Sequence, residues 1–282
     1  MIEREDRQPR EVDVVALGRS IEAITLDFGN TLVAFPGQSM AGVLRATAED
    51  AAETWGFDAA EFARVWSEER LRQFAEDVPG GREADMDIRA ARVLARLRGC
   101  PMPPAQERWD DGDVARWSSP TEVAAVLDAY ASAFVRQTPV PPEIGPTLEL
   151  LARRYALAIL SNWPLAIALE RYLDAAGWSP HLAAVVISQR VGAIKPWPEI
   201  FRAGARALGV TSGRRLLHVG DDLGADVGGA HGVGWWAAWV RLKPQDSPLP
   251  VGSSGGDERP DLIVDRVADL PRALGLHSPR VP

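Results

Sequence analysis

Asp27 closes a short apolar run, Ile24-Thr25-Leu26, and Phe28 leads on to a Gly29-Asn30 break. A run of that length bounded by a Gly/Asn turn predicts a buried strand. A carboxylate at the end of such a strand must be paired or bind a metal, because an isolated buried charge is costly. In open α/β sheets, ligands bind outside the carboxyl ends of the strands. Three further stretches have the same layout. The apolar run 156–160 ends in Ser161-Asn162. That pair either caps the helix opened near Pro164 or offers a hydroxyl and backbone N–H groups to a phosphate. Lys195 stands just before a helix, and Pro196 restricts the backbone beside it. Lys195 and Lys243 are the only lysines among 31 basic residues, which makes each a checkable position. The run 216–219 leads into Gly220-Asp221-Asp222-Leu223-Gly224-Ala225-Asp226. Carboxylates this close repel one another unless a cation sits among them. Magnesium takes oxygen ligands and keeps several waters, so one or two protein carboxylates suffice.

These residues need elements to position them. After residue 145 apolar runs alternate with helical stretches, which predicts a parallel sheet. The strands are 24–27, 156–160, 184–187, 216–219, 235–240 and 262–264. Thr31 to Ser39 reads as a loop or short hairpin. From Met40 to Gln137 the period is helical instead. Leu44, Ala48, Ala51 and Trp55 share one face; Phe62, Val65 and Trp66 begin a second stripe, and Met86 to Leu97 a third. Asp58 with Glu61, and Ser119-Pro120-Thr121-Glu122, read as helix starts. Thr138 to Pro142 is a stiff return linker. Residues 1–20 read as a loose extension, with 14–17 touching the core. Residues 244–260, rich in Pro, Gly and Ser, read as a mobile loop.

With 282 residues the chain has room for one large or two smaller domains. The net charge of −8 argues against non-specific nucleic-acid binding. A single cysteine, Cys100, excludes a disulfide framework and favours a reducing compartment. The charged N-terminus Met1–Arg7 has no secretory pattern, and no run approaches the roughly 20 apolar residues of a membrane span. His181, His218, His231 and His277 show no metal-ligand spacing, and His218 reads as structural.

The four stretches resemble motifs I to IV of the haloacid dehalogenase-like hydrolase superfamily. Asp27 and Thr31 match the Asp-x-Asp-x-Thr of motif I; Ser161 matches motif II and Lys195 motif III. Gly220-Asp221 and Asp226 match the Gly-Asp-x-x-x-x-Asp of motif IV. The resemblance covers residues 22 to about 275. It implies an α/β fold, a Rossmann-like three-layer parallel sheet with an inserted α-helical cap. The expected division is 1–20 extension, 21–38 with 139–282 core, and 39–138 cap. It also implies that Asp27 is the nucleophile and that Lys195 neutralises both nucleophile and phosphate. Ser161, with Asn162 and Thr31, would hold the phosphoryl group. Mg2+ would be held by Asp27, the backbone carbonyl of Gly29 and Asp221. Asp226 joins the metal site by orienting Lys195 or a metal-bound water. Asp222 receives no role, and Trp163 either lines the pocket or packs beneath it. The implied partner is a small phosphorylated metabolite in the cytoplasm, with no nucleic acid and no membrane; substrate and oligomeric state are not legible.

Gly29 departs from the pattern, because the phosphatases carry their acid/base Asp there. Three readings stay open. A Mg2+-dependent phosphatase or phosphotransferase could take its acid from elsewhere or act on a good leaving group such as an acyl phosphate. A catalytically weak domain could bind a phosphorylated ligand or a protein partner. A haloacid dehalogenase needs no acid, yet that group carries Tyr at this position and uses no metal. A phosphonatase is excluded, since it needs a cap lysine and 39–138 contain none.

Overall fold

The structure is a computed structural model of the chain. It describes residues 9–104, 107, 109, 111–211, 213–252 and 258–276, with the backbone alone at 111 and 113. Six strands form one parallel sheet: β1 (Ala23–Leu26), β2 (Ala156–Ser161), β3 (Ala184–Ile187), β4 (Leu216–Gly220), β5 (Trp236–Val240) and β6 (Leu262–Val264). Their order is β3-β2-β1-β4-β5-β6. β1 is central; the chain runs outward through β2 and β3 on one side, then crosses to β4, β5 and β6 on the other. That reversal opens a crevice at the carboxyl ends of β1, β2 and β4.

Alternate side chains of each strand point to opposite faces, and two apolar cores result. Ile24, Leu26, Leu157, Ile159, Leu217 and Val219 enter one. Ala23, Leu160 and Leu216 enter the other, against Ile200 and Phe201. Burial on both faces explains why the strands read as unbroken apolar runs.

Helix α1 spans Val14–Ser20, capped by Asp13, and buries Leu17. The stretch that reads as a loose extension is therefore helical over those residues, and residues 1–8 and 277–282 lie outside the described set. Among the described residues, five helices follow β1 before residue 138: α2 (Gly37–Trp55), α3 (Ala59–Asp77), α4 (Met86–Leu97), α5 (Asp111–Val114) and α6 (Pro120–Gln137). α2 packs on α3 and α6, and α4 on α3 and α6. α2 begins at Gly37, inside the expected loop; no side chain caps it, so the start carries no sequence signal. Ser119 and Glu122 form a full capping box at α6. At α3 only half of one is present, Asp58 accepting from the Glu61 N–H.

The remaining helices are α7 (Ile144–Ala152), α8 (Ala166–Ala175), α9 (Ser188–Val191), α10 (Pro198–Leu208), α11 (Gly229–Gly232) and α12 (Leu270–Ala273). Among the described residues no helix is long and apolar enough to cross a membrane. Residues 244–252 do not hang loose, contrary to the sequence reading. Gly37 N–H donates to Asp246 Oδ2 (3.2 Å), Asn30 Nδ2 to Ser247 Oγ (2.9 Å), and Gly252 N–H to Asp222 Oδ2 (2.5 Å). The partners are distant in sequence, which is why composition alone did not reveal them.

Candidate active site

Each candidate side chain leaves the sheet at the end of a strand or in the loop beyond it. Asp27 follows β1, and its N–H donates to Val219 O across the β1–β4 pair (2.9 Å). Ser161 ends β2, and Asp221 follows β4. Lys195 arrives from the loop before α10. Asn162 fixes that loop: its Oδ1 accepts from the Lys195 N–H (2.7 Å) and its Nδ2 donates to the Lys195 carbonyl (3.1 Å). The Asn162 side chain thus binds the lysine backbone, while its place beside Ser161 stays at the expected phosphate position.

Lys195 Nζ is buried and donates to Asp27 Oδ1 (2.7 Å), Asp226 Oδ1 (2.6 Å) and the Leu160 carbonyl (3.1 Å). Burial opposes its charge, but Asp226 and Asp27 outweigh that and hold its pKa well above the usual lysine value. Ser161 Oγ donates to the same Asp27 Oδ1 (2.9 Å). Among the described residues Asp27 Oδ2 then has only Thr31 Oγ1, at 3.2 Å, and that hydroxyl is shared with Asp221 Oδ1 at 3.4 Å. One hydroxyl proton cannot satisfy both carboxylates.

Asp226 makes three hydrogen-bond contacts. Oδ1 accepts from Lys195 and pairs with His218 Nε2 (3.0 Å); Oδ2 accepts from the Asp222 N–H (2.9 Å). Lys195 and His218 hold its carboxyl well below the usual range against the pull of burial. Burial pushes the His218 pKa down, and its Nδ1 meets Thr25 Oγ1 (2.8 Å). A neutral imidazole that donates from Nε2 and accepts at Nδ1 fits both contacts. Thr25 and His218 are register partners on β1 and β4, so the sheet itself sets this relay. Asp222 is a capping residue, since its Oδ1 accepts from the N–H groups of Gly224 and Ala225 (both 2.8 Å).

Asp27, Asp221 and Asp226 offer ligand atoms within 4.8 Å of one another, and all three are buried. Burial, Asp27 and Asp226 push the Asp221 carboxyl up to about 7, although Lys243 Nζ sits 3.0 Å from its Oδ2. Excess negative charge held this close, with two carboxylate oxygens lacking donors of their own, fits a divalent cation. Asp27 and Asp221 keep more open lone pairs for it than Asp226, whose Oδ1 is contacted twice and Oδ2 once.

Gly29 lines the cavity beside Asp27. A Cβ there would lie 2.5 Å from Leu249 Cδ1 and 3.5 Å from the Trp163 ring. The place of an acid side chain is thus taken by Leu249. Trp163 both lines the cavity and packs, with its ring 5.4 Å from those of Phe28, Phe35 and Phe134. The Leu249 plug, the Lys243 contact and the His218 relay are absent from the sequence reading. The rarity of lysine was the one available signal, and it concerned Lys243. His181 and His231 lie outside the acidic cluster, and His277 lies outside the described residues.

Fold and cluster together define a doubly wound α/β enzyme with a lysine-bridged acidic centre at the switch point of its sheet. The sequence profile of the haloacid dehalogenase-like hydrolases matches residues 21–234. Ribulose-1,5-bisphosphate 5-phosphatase of Halopiger xanaduensis is 30% identical over 75% of this chain and 81% of its own length. The 5-amino-6-(5-phospho-D-ribitylamino)uracil phosphatase YigB of Escherichia coli is 30% identical over 56% of this chain and 69% of its own. The fold matches a 2-haloacid dehalogenase of Pseudomonas syringae with a TM-score of 0.65 and 22% identity, covering 90% of this chain and 98% of that one. The chain belongs to the haloacid dehalogenase-like hydrolases, and it is a hydrolase.

Proposed function

We propose that the chain is a Mg2+-dependent phosphatase acting on a small phosphorylated metabolite through an aspartyl-phosphate at Asp27. The observation that carries this is the three-way contact of Lys195 with Asp27, Asp226 and the Leu160 carbonyl, with Asp221 facing Asp27 across Thr31. Lys195 and Ser161 fix one oxygen of Asp27 by hydrogen bonds. The carboxylate forms a bond to phosphorus as the bond to the leaving oxygen breaks, and water then hydrolyses the acyl phosphate. Ser161 Oγ and Lys195 Nζ are placed to donate to the phosphoryl oxygens in both steps. Asp226, positioned by His218, holds Lys195 at the edge of the metal site. Mg2+, held by Asp27, Asp221 and the carbonyl of Gly29, would supply charge neutralisation for the transferring group. The helices between 39 and 138 act as the cap that closes the cavity and selects the substrate. Relatives named as phosphatases support the reaction class.

No carboxylate at 29 protonates the leaving oxygen. The proposed substrates therefore have leaving groups that depart unprotonated, or they bring their own acid. The Leu249 plug favours a second reading, a domain that binds a phosphorylated ligand with little turnover. Phosphate release with and without Mg2+, across alkyl phosphates, acyl phosphates and haloacids, separates these readings. We expect Mg2+-dependent release from acyl phosphates that is abolished by Asp27→Asn, which is nearly isosteric but cannot form the acyl phosphate. Metal-independent halide release would identify a dehalogenase instead. Binding of phosphorylated ligands without release would support the weak domain.

A further inference from the structure

A cavity of about 1500 Å³ runs from Asp27 and Lys195 to a wall built by α3, α4 and α6. Arg70, Arg89 and Tyr130 stand on that wall. Helices α3 and α4 carry six arginines, and four of them are matched with carboxylates. Arg64 pairs with Glu61 and Glu68, Arg72 and Arg92 with Glu76, and Arg96 with Glu68 and Glu69. The two that line the cavity are the exceptions: among the described residues neither forms an ion pair.

Arg89 is 1% exposed. Its Nε donates to Gln73 Oε1 (2.9 Å) and its Nη2 to the Ala84 carbonyl (3.1 Å), both neutral acceptors. Its Nη1 has no acceptor among the described residues. Half-buried Arg70 donates through Nη2 to the Pro248 carbonyl (2.9 Å) and lies 4.9 Å over the Phe74 ring. Both guanidinium pKa values are pulled down by burial, and each remains positive at neutral pH. The nearby carboxylates are occupied. Glu83 accepts from the Ala84 N–H and from Ser188 Oγ; Asp85 accepts from the Asp87 N–H and Gln189 Nε2. Burial pushes the Tyr130 hydroxyl up to about 12, so it stays a neutral donor on the same wall. Buried arginine is almost always paired, and an uncompensated buried charge is strongly unfavourable. Two unmatched guanidiniums facing one cavity call for an anion from outside the chain. Planar guanidinium forks bind carboxylate and phosphate in particular, two bonds at a time.

We infer that Arg70 and Arg89 form a second anion subsite, which holds a carboxylate or a second phosphate at the end of the substrate remote from the reacting phosphoryl group. The inference rests on the phosphatase reading for the identity of the first site. It narrows the substrate class to phosphorylated compounds that carry a further anionic group.

The test is calorimetric titration of the Asp27→Asn chain, which holds ligands without turning them over. Two matched pairs are used: 2-phosphoglycolate against methyl phosphate, and fructose 1,6-bisphosphate against fructose 6-phosphate. The first pair differs by a carboxylate, the second by a phosphate at longer span. In at least one pair the doubly anionic ligand should bind about 10- to 100-fold tighter, the strength of charge-assisted bonds to one group. Adding Arg70→Met or Arg89→Met should bring that ratio to within about twofold, and Arg89→Lys should leave an intermediate value. Thermal melting checks that each variant is folded, and half-buried Arg70 serves if Arg89→Met is not. A ratio near one in both pairs, or a ratio that neither arginine substitution moves, overturns the subsite. The phosphatase reading is judged separately: an arginine-dependent ratio with no phosphate release by the wild-type chain would defeat that reading and leave the subsite standing.

Discussion

Gly29→Asp is the substitution that most directly asks what the departure in motif I removes. The backbone accepts a side chain there, because Gly29 is outside the left-handed region. Space does not accept it, since the new Cβ would stand 2.5 Å from Leu249 Cδ1. The obstacle is the tip of one side chain, so it yields at a cost. Overpacking of this kind costs ~1–3 kcal/mol. In a chain of this size each kcal/mol lowers the melting temperature by about 2–4 °C. Leu249→Ala opens the space, so the double variant should recover most of that loss, a coupling of ~1–2 kcal/mol in the cycle. The wall that remains is the Trp163 ring, 3.5 Å from the new Cβ. An apolar wall raises a carboxyl pKa, which suits a general acid. General acid catalysis is worth about 10²–10⁴-fold. A pocket not shaped around this carboxylate should give the low end, about 100-fold, or ~2.7 kcal/mol of the barrier. The gain should appear in kcat/KM for alkyl phosphates, whose leaving alkoxide needs a proton. It should be small for acyl or p-nitrophenyl phosphate. A Gly29→Asp chain as stable as wild type would show that Leu249 does not occupy this place in solution. A stable double variant with unchanged rates on both substrate types would refute the acid argument itself.

Three further predictions follow from the charges. Burial pushes the Asp221 carboxyl up to about 7, and a carboxylate must be ionised to hold a cation; on the proposed reading Mg2+ affinity should hold above that pH and weaken by about tenfold per unit below it. Calorimetry between pH 6 and 9 reads this, and a flat profile removes Asp221 from the metal. Glu83 is pushed up by burial, so its contribution to stability is present below the unfolded value and lost as pH rises through the folded one. Glu83→Gln should therefore melt ~2–4 °C higher than wild type at pH 8, for about 1 kcal/mol, with the gap closing near pH 4; a constant gap would mean that ionisation is not its cause. Asp222→Ala removes the cap over Gly224 and Ala225 and the tie to Gly252, and should cost ~0.5–2 kcal/mol. Its Mg2+ affinity should match wild type, and a large loss of affinity would make Asp222 a ligand after all.

The sheet and the acidic centre were legible because two-sided burial writes strands as apolar runs, and a charge at the end of such a run stands out. Asp27, Ser161 and Asp221 each sit at that break, and the structure brings them together with Lys195. The parts that were not legible depend on partners far away in sequence. Leu249 reaches Gly29 only because Asn30, Gly37, Arg70 and Asp222 hold residues 246–252 in place. Local composition reports turn residues and says nothing of those acceptors. His218 read as structural because its partners, Thr25 and Asp226, come from the neighbouring strand and the loop beyond its own. Arg70 and Arg89 were indistinguishable in sequence from the four matched arginines around them.

The energetic standing of Lys195 weighs on whether this centre still does chemistry. Its ammonium is buried against two carboxylates, and one of these also engages His218. Replacing such a buried ionic group with well-packed apolar side chains is often neutral or stabilising by ~1–4 kcal/mol. A domain that only held its fold would gain by that exchange. A domain that only bound a phosphate could use exposed arginines and backbone N–H groups, without an ionised carboxylate pointing at the anion. Asp27 repels a bound phosphate, and that is unfavourable for binding alone. It becomes useful when the carboxylate attacks, because the repulsion is relieved as the bond forms while Lys195 and Ser161 retain their contacts. On the proposed reading the arrangement suits transfer of phosphate better than its binding, and that asymmetry favours the catalytic reading over the weak one.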